Sequence, residues 1–168
     1  MRNLVLIFTL FSVIVSCKDE TKNTKDDASE DIKDEMNDSL SVSELKSNLV
    51  EKGFQVFDYV DEKTQDTVLM QQYFIAFLKS GPIRNQNEEE ASRLQNEHLA
   101  HLTKMYELGY ADISGPFADN GDIRGITIYN VPTFEMADSL AKSDPMVRAG
   151  RLIIETHPWW AAKGYALR

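Results

Sequence analysis

Six consecutive apolar residues, Tyr73-Phe74-Ile75-Ala76-Phe77-Leu78, constrain this chain more than any other feature. The run is of strand length, and with no polar alternation it has to be covered on both faces. Gly81-Pro82 closes it. The elements that follow must supply the covers. Residues 88–108 carry the longest helical pattern, opening on three glutamates at the positive helix end and stopping at Gly109. Residues 111–117 read as a strand, Asn120-Gly121 as a turn and 123–131 as a further strand. Pro132-Thr133 opens a second helix to about residue 141, and 151–157 form the last strand. Upstream, Ser41 and Glu44 offer a capping box for a short helix that Gly53 ends, and 54–60 alternates as a strand with a shift in face. From residue 67 onward the order is strand, helix, strand, strand, helix, strand. This is the split βαβ, ferredoxin-like α+β arrangement.

Two helices cover only one face of such a sheet, so the other face should be polar. It is not. Ile126 and Ile128 lie opposite Tyr129 and Val131, and Ile153 lies opposite Leu152 and Ile154. Apolar residues on both faces call for a second cover, and the simplest is another copy of the same sheet. A homodimer is expected.

The N-terminal residues have a different character. Arg2 precedes a short apolar stretch over 4–15, shorter than the roughly 20 residues needed to cross a bilayer. It ends in Ile14-Val15-Ser16-Cys17, the pattern of a bacterial lipobox, in which the cysteine thiol takes the lipid as a thioether and becomes the new N-terminus. Cys17 is the only cysteine in 168 residues, which excludes an internal disulfide framework and a cysteine-based zinc site. Lys18, rather than aspartate, follows it, which favours the outer membrane over inner-membrane retention; Lys18-Asp19-Glu20 resembles a surface-export tag. The expected division is a lipoprotein signal peptide over 1–16, a disordered acidic tether over 17–40, an N-terminal extension over 41–66 and an α+β domain over 67–168. A net charge of −9 argues against nucleic acid as a partner. No phosphate loop, dinucleotide fingerprint or Gly-x-Ser-x-Gly elbow occurs, so no cofactor is implied.

Several motifs then fall in one order: His98-Leu99 with Leu102 and Gly109; Ser114-Gly115-Pro116-Phe117 with Asp119; Arg124-Gly125; Asp144-Pro145-Met146-Val147 with Ala149-Gly150; and Pro158-Trp159-Trp160. In that order and spacing the chain from about residue 69 to 164 resembles the YCII-related domain family. The resemblance implies a dimeric α+β barrel of ferredoxin-like subunits, with a histidine and an aspartate in enzymatic work.

The case for His98 also stands on its own residues. At about 100° per residue, Ala91, Leu94, His98, His101, Leu102, Met105 and Leu108 share one helix face. An imidazole inside an apolar stripe needs a hydrogen-bond partner, and that partner fixes its tautomer. The resemblance makes the partner an aspartate, with Asp144 the first candidate and Asp119 the second. His98 would then be the general acid/base acting on a small molecule, oriented by the carboxylate. The alternative is a core histidine satisfied by a backbone carbonyl, with Asp144 only capping the turn over 145–149. Arg124, Ser114 and His101 are the candidate substrate contacts. His98 and His101 could reach one ion, but a third ligand is missing from that face, so no metal is expected. Two function classes remain: a lyase- or isomerase-type enzyme of small-molecule metabolism, and a non-catalytic domain binding a small ligand or a protein at the cell envelope. A cavity opening onto the His98 ring favours the first, and a sealed ring favours the second.

Overall fold

The computed structural model describes residues 41–167; the leader, Cys17 and the acidic tether expected over 1–40 lie outside them. The apolar run sits in the middle of a 14-residue strand that organises the domain. In chain order the elements are α1 (Val42–Glu51), β1 (Val56–Val60), β2 (Thr67–Ser80), α2 (Glu88–Glu107), β3 (Ala111–Pro116), β4 (Ile123–Tyr129), α3 (Phe134–Lys142), α4 (Pro145–Arg148) and β5 (Leu152–Ala162).

One edge of β2 is paired by β5, from Met70↔Ala162 to Ser80↔Leu152. The other edge is shared. β1 takes Thr67 to Gln71, and β4 takes Phe74 to Lys79, so the two lie end to end along the same side of β2. β3 pairs with the outside of β4, and every pairing is antiparallel. The order β5-β2-β4-β3 is that of a ferredoxin-like α+β fold, and β1 is an added strand in line with β4.

Alternation along β2 sorts its two faces. Phe74 and Ala76 pack with Met105 of α2 and with Ala137 and Ala141 of α3, while Leu78 packs with Leu94 of α2 and Met146 of α4. Ile75 and Phe77 point the other way and stay half-buried, beside their register partners Ile128 and Ile126. That second apolar face is the one for which the sequence asks a cover.

Three expectations are corrected. The last strand does not stop at residue 157 but runs through Pro158 to Ala162. β5 pairs only with β2 among the described residues, and an edge strand tolerates a proline whose missing N–H faces away from the ladder. Trp159 and Trp160 are therefore strand residues on opposite faces; Trp159 meets Tyr73 at 6.2 Å and Trp160 meets Phe57 at 4.9 Å between ring centroids. β1 begins at Val56, not at residue 54. Leu108 is the C-cap of α2 and exposed, so the apolar stripe ends at Met105.

The N-terminal capping box forms as expected, with the Glu44 side chain on the Ser41 N–H and the Glu44 N–H on the Ser41 hydroxyl. Gly81 is required where β2 ends. Its N–H donates to the Arg151 carbonyl at 2.8 Å, and a Cβ there would lie 2.2 Å from the Gly150 carbonyl oxygen. No helix among the described residues is long and apolar enough to cross a membrane.

Candidate functional site

The α2 register buries Leu94, His98 and Met105 along one line. Asp144 comes to the same place from the far side of α3. It follows the C-cap Ser143 and is itself the N-cap of α4, whose first residue is Pro145. The carboxylate does two things at once: Oδ1 accepts the Met146 N–H at 2.8 Å, and Oδ2 lies 2.6 Å from His98 Nδ1. Capping and pairing, the two alternatives posed by the sequence, coexist in one side chain. Both residues are buried, His98 8% and Asp144 2% exposed.

An ionised carboxylate only accepts, so Nδ1 carries the proton of this bond. In the neutral ring the lone pair then sits on Nε2, which has no hydrogen-bond partner among the described residues. His101, three residues on, is half-buried, and its Nε2 is buried without a partner. Burial holds the His101 ring below its ordinary value, against the opposing pull of the Asp144 charge and the Leu140 carbonyl; the Lys104 charge lowers it further. Tyr129 of β4 is also buried; desolvation, aided by the Asp144 charge, raises its phenol and keeps it protonated. From the sequence Tyr129 reads only as an apolar strand residue, and nothing there marks its place in the field of Asp144.

The other candidates sit apart from this pair. Asp119, the second choice as partner, lies in the β3–β4 hairpin, where its Oδ1 accepts the Gly121 N–H at 2.9 Å. Arg124 donates to the Gly121 carbonyl at 3.1 Å in the same hairpin. The Ser114 hydroxyl is 2.9 Å from that of Thr127 across the β3–β4 pair. Of the residues singled out, then, His98, His101 and Asp144 come together, and Asp119, Arg124 and Ser114 do not join them. A surface cavity of about 570 Å³ lies at the hairpin end, walled by Phe77, Lys79, Phe117, Asp119 and Glu155. Neither His98 nor Asp144 lines it, nor the cavity beside the start of α3, nor the one between α2 and β3. Among the described residues no group of three His, Cys, Asp or Glu side chains is placed to hold a metal ion.

No family model matches the chain, and no curated protein matches it. Among solved structures it is similar to a 5-chloro-2-hydroxyhydroquinone dehydrochlorinase from Burkholderia phenoliruptrix in complex with 2,5-dihydroxybenzoquinone. Identity there is 20% and the TM-score 0.40, over 52% of this chain and 92% of that one.

Proposed function

We propose that this chain is a lipid-anchored protein of the bacterial outer membrane whose YCII-related domain performs acid/base chemistry on a small molecule. The observation that carries the reading is the His98–Asp144 pair: a buried carboxylate, held by the α4 N-terminus, 2.6 Å from Nδ1 of an imidazole whose other nitrogen is unpartnered. Such an imidazole takes a proton from an acidic C–H or O–H of the bound molecule at Nε2. The carboxylate stabilises the imidazolium, which returns the proton at another atom or to a leaving group. That is the chemistry of a lyase or an isomerase. A homodimer closed through Ile75, Phe77, Ile126 and Ile128 is part of the proposal, since these residues form the uncovered apolar face.

The test is proton exchange. Wild-type protein incubated with a mixture of small metabolites in deuterated water should wash deuterium into at least one of them, read by proton NMR. His98→Gln should abolish the wash-in while retaining the fold by circular dichroism. Equal exchange in both proteins would remove the enzyme reading. One observation favours a second reading, a non-catalytic binding domain: the two side chains are only 11% and 4% exposed. In that case a ligand found by thermal shift would bind wild-type and His98→Gln alike, with no exchange.

A further inference from the structure

Where α4 gives way to β5, the half-buried guanidinium of Arg151 pairs with no carboxylate among the described residues. The segment that follows β2 is fastened to this corner. The Gly81 N–H donates to the Arg151 carbonyl and the Ile83 N–H to the Gly150 carbonyl, at 2.8 and 3.1 Å. Gln86 completes the clamp: its Nε2 donates to the Ala149 carbonyl at 3.5 Å, and its Oε1 accepts from Arg151 Nη1 at 2.8 Å. That bond fixes the guanidinium plane and leaves the Nε–Nη2 edge, whose two N–H groups point the same way and match a carboxylate or a phosphate. Neither nitrogen has a partner among the described residues, and Nε is sealed from solvent. A buried donor without an acceptor is costly, and a half-buried cation without an anion is more so.

Two exposed arginines belong to the same corner: Arg84 follows Ile83, and Arg148 ends α4. They too form no ion pair among the described residues, although the chain carries 27 Asp and Glu against 18 Lys and Arg. The acids nearest to Gln86 in sequence, Glu88, Glu89 and Glu90, open α2 and pair with none of the three arginines. We propose that this corner binds a small dianion, a dicarboxylate or a phosphate monoester. One oxyanion group lies along the Nε–Nη2 edge of Arg151, a small swing of the side chain opening Nε to it, and Arg84 and Arg148 attract the second charge. A fork already held by Gln86 loses little freedom on binding. The corner is apart from the His98 pair but shares α4 with it. Asp144 Oδ1 accepts the Met146 N–H, and the Met146 carbonyl accepts the Arg151 backbone N–H at 2.9 Å.

The test titrates the full chain with succinate and, separately, with inorganic phosphate, against sodium chloride of matched ionic strength. A ligand bound only by the folded state raises the melting temperature as its concentration passes Kd, so at least one probe should give a rise of a few degrees that chloride does not. Arg151→Met should remove the rise. Arg151→Lys, which keeps the charge and loses the fork, should retain a small part of it, and Lys63→Met, in the turn after β1, should retain all of it. With isotope-labelled arginine, the Arg151 Nε–H resonance, assigned by its absence in Arg151→Lys, should move and saturate with the same probe. That resonance decides the outcome if Arg151→Met does not fold. A rise that chloride reproduces, a rise that survives in folded Arg151→Met, or an Nε–H resonance that neither probe moves would overturn the proposal. Saturation by succinate alone identifies the ligand as a dicarboxylate, and saturation by phosphate alone as a phosphate ester.

Discussion

Replacing Asp144 by asparagine should change which nitrogen of His98 carries the proton. The Met146 N–H needs an acceptor, so the amide oxygen keeps that bond and the amide NH2 faces Nδ1, 2.6 Å away in the wild type. Nδ1 must then accept, which moves the ring proton to Nε2. The stability cost follows from the same geometry. A charge-assisted bond worth roughly 1.5–3 kcal/mol is exchanged for a neutral one worth roughly 0.5–1.5, and the cap survives because asparagine caps as well as aspartate, so Asp144→Asn should lose about 1–2 kcal/mol. Asp144→Ala should lose more, about 3 kcal/mol, since it removes a cap worth about 1 and strands a buried ring nitrogen. Urea denaturation gives both values, and the ring nitrogen chemical shifts of labelled histidine give the tautomer. If the enzyme reading holds, Asp144→Asn also removes the Nε2 lone pair and should lower turnover by about 10²–10⁴. An asparagine variant that keeps its proton on Nδ1, or one as unstable as the alanine variant, would refute this account of the pair.

Further outcomes follow from other residues. His101 is held below about 6.5 by burial, so as pH falls the unfolded chain takes up that proton first; stability is present above pH 6.5 and is lost as pH drops toward the folded value. His101→Leu should flatten that part of the stability–pH curve relative to wild type, and an unchanged slope would count against a neutral buried ring. Gly81→Ala should cost about 2 kcal/mol by denaturant melt, because its methyl meets the Gly150 carbonyl. Light scattering at micromolar concentration should give a dimer for wild type and a monomer for Ile126→Glu, which places a charge on the uncovered face; a monomeric wild type would remove the two-sheet closure. Cys17→Ser should accumulate uncleaved precursor without label from fatty acid, and label on that variant would sink the lipid anchor.

Most of the architecture is legible in local pattern. The run at 73–78, the caps at Ser41 and Thr133 and the stop at Gly109 each mark an element by short-range chemistry. Errors arise where tertiary context overrides a local rule. Pro158 reads as a terminator but is tolerated because β5 is an edge, and Leu108 fits the helical stripe but lies one residue past the helix. The position of β1 along the β4 side of β2 depends on the length of β2 beyond the helical layer, which no local signal states. His98 is detectable as a polar ring on an apolar face. Asp144, 46 residues later, is chosen by resemblance, and its double role emerges only when α3 and α4 fold back onto α2.

The end-to-end arrangement of β1 and β4 on one side of β2 has a mechanical consequence. A load entering at Ser41 passes down α1 to Val56, the rung of β1 farthest from its hairpin turn, opposite Gln71. Pulled from that end, the two strands unzip rung by rung toward Thr67 instead of shearing all their rungs together. Throughout, β2 stays clamped by β5 from Met70 to Ser80 and by β4 from Phe74 to Lys79. Under such a load the rungs of the added hairpin open first, and the β5–β2–β4 rungs beneath the helices that hold His98 and Asp144 stay paired.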